Sequence, residues 1–315
     1  MPIFAPFFMQ VHYKSNQLPV FSNAVVTIGT FDGVHRGHRQ ILDKLLQEAR
    51  KINGETVIIT FDPHPRKIVG TQQPAIKLIN TLDEKIELLR QTGIDHLVII
   101  DFTPEFANQH ADDYIKDFLV GKFQPHTIII GYDHRFGKNR EGDFRLLERM
   151  APVFNYQLKE IPQHVLNEAA ISSTRIREAI LRSNIKTANE LLGYDFFFSG
   201  EVVHGDKLGR QLGYPTVNLQ MNDEEKITAG NGIYAVYISL NNEIKKGMMS
   251  IGLRPTVGGT KRVIEVNIFD FNADVYGQTL TVTIKKHLRA EVKFNSLEEL
   301  KAQMAKDKIE SLAVL

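Results

Sequence analysis

The sequence predicts an α/β unit built on a parallel sheet, followed by a small antiparallel β unit that ends in a helix. Three observations predict it. The chain of 315 residues is long enough for two cores, taking about 150 residues per domain. Its first half alternates short β-branched runs with longer amphipathic segments, and its second half turns to strands separated by turn signals, so the hydrophobic period changes from mixed to two.

The strands of the first half are predicted at Val25–Ile28, Thr56–Thr60, His96–Ile100, Thr127–Ile130 and Tyr156–Glu160. Between them, Gly37–Ile52, Leu82–Gln91 and Pro104–Leu119 place apolar residues at three- and four-residue spacing, the mark of helices that cover a sheet. This half reads as doubly wound. A helical stretch follows from Thr174 to about Leu192, and the boundary between the halves is expected near residues 183–195.

Strands are then predicted at Ser199–Val203, Gly232–Leu240, Val263–Phe271 and Thr279–Lys286. Asn241–Asn242, Gly258–Gly259 and Tyr276–Gly277 supply the turns. That spacing fits a small antiparallel barrel or sandwich. A last pattern, Ser296–Ser311, begins on a Ser cap and carries Leu297, Leu300, Met304 and Ile309 near helical spacing, so a helix is expected to close the barrel.

Composition narrows the function classes. Hydrophobic residues at 43% and charged residues at 24% are the mix of a folded globular protein. A formal net charge of +1 gives no global field toward nucleic acid or anionic lipid, so any anion must be bound locally. With no cysteine, disulfides and thiolate metal sites are excluded. The apolar run Pro2–Met9 lacks a basic leader and a small-residue cleavage site, and no unbroken apolar stretch of about 18 residues occurs. The expectation is a cytoplasmic protein without membrane or nucleic-acid partners, a monomer or weak homo-oligomer.

The segment Gly29–His38, GTFDGVHRGH, runs from a strand into a helix. Gly33 and Gly37 let backbone approach a ligand, and the helix start offers unpaired N–H groups and a positive dipole end to a phosphate. His35 and His38 lie on one face of the first turn, where both can donate to phosphate oxygens. An isolated H-x-x-H is more often a metal pair or two surface histidines; the glycine-rich strand-to-helix turn reverses that preference. No lysine stands in the loop, which argues against a P-loop kinase. Three more segments follow predicted strands: Thr60–Arg66 (TFDPHPR), Gly131–Gly137 (GYDHRFG) and Ile171–Arg177 (ISSTRIR). Ends of strands are where open α/β sheets bind ligands. The last joins hydroxyls at a helix start to two guanidiniums, a receptor for a polyphosphate, although an isolated S-S-T-R is more often a plain cap.

In the second half, Gly205, Lys207, Gly209, Arg210 and Gly213 form a loop able to wrap phosphates. Thr216 and Asn218 then present a hydroxyl and an amide oxygen on one face of an extended segment, donors suited to magnesium. A glycine-rich hairpin is an equal alternative on these residues alone. The strand Val263–Phe271 decides for a site, because alternation puts Glu265 with Val263, Asn267, Phe269 and Phe271. A carboxylate on a largely apolar face needs a partner or a task, and general base for an alcohol is such a task.

In order and spacing, GTFDGVHRGH, TFDPHPR, GYDHRFG and ISSTRIR resemble the adenylyltransferase module of bacterial bifunctional riboflavin kinase/FAD synthetases. The second half resembles the riboflavin kinase barrel with its G-R-x-L-G-x-P-T-A-N signature, here with Val217 in place of Ala. The resemblance covers nearly the whole chain and implies a Rossmann-like nucleotidyltransferase domain over 1–185 and a kinase domain, a β-barrel with a terminal helix, over 186–315. It implies that riboflavin and ATP give FMN, and that FMN and ATP give FAD and pyrophosphate, with Mg2+ serving both steps. Gly29, Phe31, Gly33, His35, His38, Asp133, Ser173, Thr174 and Arg177 would bind ATP in the first module, and Asp62, His64, Pro65 and Arg66 would face the flavin nucleotide. Gly205, Lys207, Gly209, Arg210, Thr216 and Asn218 would bind ATP in the second, with Thr216 and Asn218 also on the metal, Glu265 as the base and Arg289 over the flavin. Two other readings compete: an adenylyltransferase with another mononucleotide acceptor, and a barrel that binds flavin without turnover.

Overall fold

A computed structural model describes residues 8–13, 17–69, 76–131, 134–161, 171–204, 213–241, 243–256 and 259–315. Two compact units emerge, Met1–Ile76 with Asn80–Ser172, and Lys77–Ile79 with Ser173–Leu315. The expected turn residues Asn242 and Gly258 and the candidate site residues Asp133, Gly205, Lys207, Gly209 and Arg210 lie outside the described residues.

The first unit holds a six-stranded sheet of β1 (Gln10–His12), β2 (Val25–Ile28), β3 (Thr56–Asp62), β4 (His96–Asp101), β5 (Thr127–Gly131) and β6 (Gln157–Ile161), in the order β1-β4-β3-β2-β5-β6. Every pairing is parallel. The five predicted strands are present; β1 was not predicted, because three residues are too few to show a period. β2 is buried throughout, as a central parallel strand covered on both faces should be. Strand order reverses between β2 and β5, so the loops after these strands flank the crevice where such sheets bind ligands.

Helices α1 (Arg36–Ile52), α2 (Pro65–Val69) and α3 (Leu82–Arg90) follow β2, β3 and the segment before β4. The pattern predicted over Pro104–Leu119 is broken: α4 (Pro104–Ala107) stops before α5 (Ala111–Asp113), and a π-helical stretch at Tyr114–Val120 leads to α6 (Gly121–Phe123). Its apolar residues still reach the core, where Tyr114, Ile115, Phe118 and Leu119 pack with Val26, Ile28 and Ile59. α7 (Phe144–Phe154) was not predicted; Pro152 inside it hides its helical period.

The second unit opens on α8 (Ser173–Leu181) and α9 (Ile185–Leu192), two helices where one stretch is predicted. Asn184 caps α9 by accepting from Thr187 N at 3.3 Å, which marks the break. A closed barrel follows, from β7 (Phe197–Val203), β8 (Val217–Met221), β9 (Gly232–Leu240), β10 (Glu243–Thr256), β11 (Gly259–Ile268) and β12 (Thr279–Arg289), in the order β10-β11-β8-β7-β12-β9. Tyr234, Val236, Ile238, Ile264, Val266, Val282 and Ile284 fill it, each at most 5% exposed. The strands close the barrel by themselves, contrary to the expectation that the terminal helix does so. That helix, α10 (Leu297–Leu312), is capped by Ser296 accepting from Glu299 N at 3.1 Å.

Candidate active sites

In the first unit, β2 delivers the chain into a loop with an unusual backbone. Phe31 (φ 48°), Gly33 (φ 90°) and Val34 (φ 36°) all have positive φ, a costly conformation for Phe and for β-branched Val that binding loops tend to store. Asp32 and Val34 are buried, and Asp32 Oδ1 accepts from Asn80 N at 3.3 Å. Gly29 leaves room for the Phe31 ring, whose nearest atom would stand 3.2 Å from an added Cβ.

His35 is the N-cap of α1, and its Nδ1 accepts from His38 N at 3.3 Å. The two imidazoles stack with centroids 3.6 Å apart. Gly37 makes that possible, since a Cβ there would come within 3.3 Å of the His35 ring. Burial, reinforced by His35 and Lys85, holds the His38 imidazole well below its ordinary pKa, so it is neutral. Its Nδ1 is buried and has no hydrogen-bond partner among the described residues. The pair therefore combines a helix start, a neutral N–H donor and an unsatisfied ring nitrogen, features that suit a polyanionic ligand.

The other predicted residues of this unit stand at the same carboxyl end of the sheet. Asp62 ends β3 and is exposed; His64 is buried, and its Nδ1 accepts from Arg66 N at 3.2 Å. Pro65 starts α2 and Arg66 points to solvent. After β5, Phe136 stacks on Tyr114 at 4.9 Å and Arg135 pairs with Asp143 at 2.7 Å, which anchors these two residues of the segment. Sequence reasoning passed over Lys85 on α3, which is 7% exposed. Burial pulls its ammonium below the usual lysine value, opposed by the charges of Asp32 and Asp62. In LDEKIELLR it reads as one more solvated helix lysine.

Ser173, Thr174 and Arg177 belong to the second unit, on the first turns of α8. Thr174 is exposed, and Arg177 Nε donates to Lys77 O at 2.8 Å.

In the barrel, Glu265 sits directly opposite Asn218 on β8 and Ser250 on β10, so all three share the outer wall. The face that carries Ile264, Val266 and Ile268 is the barrel interior. Contrary to the expectation, Glu265 does not share a strand face with Phe269 and Phe271, because β11 ends at Ile268. Val217 pairs with Val266 and so turns away from Thr216 and Asn218. Asn267 pins the approach to β8, donating from Nδ2 to Pro215 O at 2.7 Å.

Thr216, Glu265, Asn267 and Arg289 line a cavity of about 240 Å³ that is completed by Val292, Phe294, Leu300 and Met304 from the C-terminal segment. One wall is thus polar and the other apolar, the make-up of a small-molecule site. Glu265 Oε1 accepts from Arg254 Nη2 at 2.6 Å, the partner that a carboxylate in a cavity requires. Arg289 is held by Asp307 of α10 through Nε–Oδ1 at 2.9 Å and Nη2–Oδ2 at 2.6 Å. Sequence gave no sign of Arg254 or Asp307, whose significance lies in the side chains they meet.

Residues 18–175 match the family model described as FAD synthetase, and residues 192–315 match that described as riboflavin kinase. A bifunctional riboflavin kinase/FMN adenylyltransferase of Escherichia coli (strain K12) is 38% identical over 286 residues, 90% of each chain. Its counterpart in Listeria monocytogenes is 34% identical over 292 residues, 92% of each chain. A crystal structure titled as a macrolide-efflux protein from Streptococcus pneumoniae aligns with TM-score 0.86 and 30% identity, over 96% of this chain and 98% of that one. Among the described residues here, no helix is long and apolar enough to cross a membrane.

Proposed function

The chain belongs to the bifunctional riboflavin kinase/FMN adenylyltransferase family, and from that premise we propose that it makes FMN in its barrel part and FAD in its parallel-sheet part. The observation that carries the reading is the presence, in one chain, of a stacked histidine pair at a helix start and of a carboxylate beside an oxygen donor in a cavity on the barrel's outer wall. Residues 1–185 are assigned to adenylyl transfer and 186–315 to the kinase, in a cytoplasmic monomer or weak homo-oligomer.

For adenylyl transfer, the FMN phosphate attacks the α-phosphorus of ATP; an O–P bond forms as the bond to pyrophosphate breaks. The attacking group is already an anion, so positioning and electrostatics suffice without a base. His35 and His38 are assigned to the ATP phosphates, with Gly29, Phe31 and Gly33 shaping the loop around them. Ser173, Thr174 and Arg177 are assigned to the departing pyrophosphate, and Asp133 to the nucleotide. Asp62, His64, Pro65 and Arg66 are assigned to the flavin nucleotide.

For the kinase, the riboflavin 5′-hydroxyl attacks the γ-phosphorus, its proton passes to Glu265, and ADP leaves. Arg254 Nη2 donates to Oε1 of that carboxylate and fixes its orientation. Gly205, Lys207, Gly209 and Arg210 are assigned to the phosphates. The Thr216 hydroxyl and Asn218 amide oxygen are hard donors on the wall that bears Glu265, which fits Mg2+ held jointly with substrate phosphates. When bound, that ion would draw charge from the transferring phosphoryl group. Arg289, fixed by Asp307, walls the flavin cavity.

The assignment of residues is tested by following both products. His38→Asn should slow FAD formation from FMN by about a hundredfold and leave FMN formation unchanged, whereas Thr216→Val should do the reverse. Chelation of magnesium should stop both. FAD formation at the wild-type rate in both His35→Asn and His38→Asn would remove the histidines from the site.

A further inference from the structure

Lys85 stands in the first turns of α3, a helix whose start is fixed three times over. Thr81 and Glu84 form a capping box, with Glu84 N donating to Thr81 Oγ1 at 3.2 Å and Thr81 N donating to Glu84 Oε2 at 3.0 Å. Lys85 N donates to Thr81 O at 3.0 Å, and Asn80 N ties the same turn to Asp32 in the loop after β2. The residue is thus held at the carboxyl end of the sheet by a rigid backbone.

Its side chain is 93% removed from solvent, being 7% exposed. Among the described residues no acceptor within hydrogen-bond or ion-pair distance holds the ammonium. Its charge acts on Asp32 beside β2, Asp62 at the end of β3 and His38 on α1. A lysine used only to fill space would be replaced at lower cost by an apolar side chain, because a buried ammonium loses its hydration. Here the charges of Asp32 and Asp62 oppose that loss, and its neighbourhood is the crevice of the histidine pair. A compact cation in such a place is suited to a phosphoryl oxygen.

We propose that Lys85 is a phosphate-binding residue of the adenylyl-transfer site, its ammonium donating to a phosphoryl oxygen of FMN or of the ATP polyphosphate. The proposal rests on the adenylyl-transfer reading above. Asp32 and Asp62 attract the ammonium without an ion-pair contact, and His38 beside it stays a neutral donor.

The test uses the full chain and the variants Lys85→Met and Lys85→Arg. Steady-state adenylyl transfer gives KM for FMN, KM for ATP and inhibition by pyrophosphate; FMN formation from riboflavin on the same chain and thermal melting report the fold. Lys85→Met should raise one KM by about tenfold or more, with FMN formation within twofold of wild type, and Lys85→Arg should recover part of the loss. A rise confined to FMN places the contact on the acceptor phosphate; a rise confined to ATP, with weaker pyrophosphate inhibition, places it on the polyphosphate. If both KM values and kcat stay within twofold, or if both variants lose melting temperature and FMN formation together, Lys85 has no phosphate role. A wild-type chain that makes no FAD from FMN and ATP overturns the functional reading itself, and the Lys85 proposal with it.

Discussion

His38 is stacked on His35 and lies near the Lys85 charge, so a proton on its ring would be both desolvated and repelled. Its ring should remain neutral well below pH 6.5 in the substrate-free protein; NMR titration of labelled histidine is expected to show this, and a His38 midpoint at or above 6.5 would contradict it. The histidine pair was legible in the sequence because its spacing and the glycine-rich turn are local. Lys85, Arg254 and Asp307 were not, because each gains its meaning from a distant partner: Asp32, Glu265 and Arg289 respectively.

α1 shows how an element is fastened. Glu48, 5% exposed in its side chain, pairs with Lys44 at 3.2 Å, Lys51 at 3.0 Å and Lys159 of β6 at 2.5 Å. Those lysine hydrogen bonds, chiefly from Lys159, bring its pKa from 4.5 down to about 2 against the opposing effect of burial. The folded value lies below the unfolded one, so the stabilisation is fully present above pH 4.5 and is lost as pH falls toward about 2. Melting followed against pH should therefore decline over that window in the wild type, and Glu48→Gln should flatten the decline; parallel curves would contradict the account.

At the other end of the chain, Asp307→Ala leaves the Arg289 guanidinium without its carboxylate beside the cavity. It should cost about 3 kcal/mol and raise the KM for riboflavin, as denaturation and kinase assays would show. Elements with a clear period were legible. β8 and β10 were not, because a glycine-rich sequence precedes β8 and β10 contains Gly247 and Gly252 amid Met248 and Met249, which erases alternation. Cross-strand register, which sets Asn218 opposite Glu265, follows only from barrel closure.

At the scale of the whole molecule, the change of period that separates a parallel sheet from an antiparallel barrel could be read directly. The exact break could not: the compact units part at Ser172 and Ser173, ahead of the helical pair that the sequence left undivided between the halves. A helix at a domain boundary has the same period whichever core it joins, so only packing assigns α8 and α9 to the second unit.

On the proposed assignment, one chain carries two separable active sites, with Glu265 serving only the second. Chromatography of flavins after incubation with ATP and magnesium tests it most directly, comparing wild type with Glu265→Gln from riboflavin and from FMN. Wild type should make FMN and then FAD, whereas the variant should make FAD from supplied FMN at the normal rate but form FMN from riboflavin at least about a hundredfold more slowly. Normal FMN formation in the variant, or loss of both reactions together in a folded protein, would contradict it.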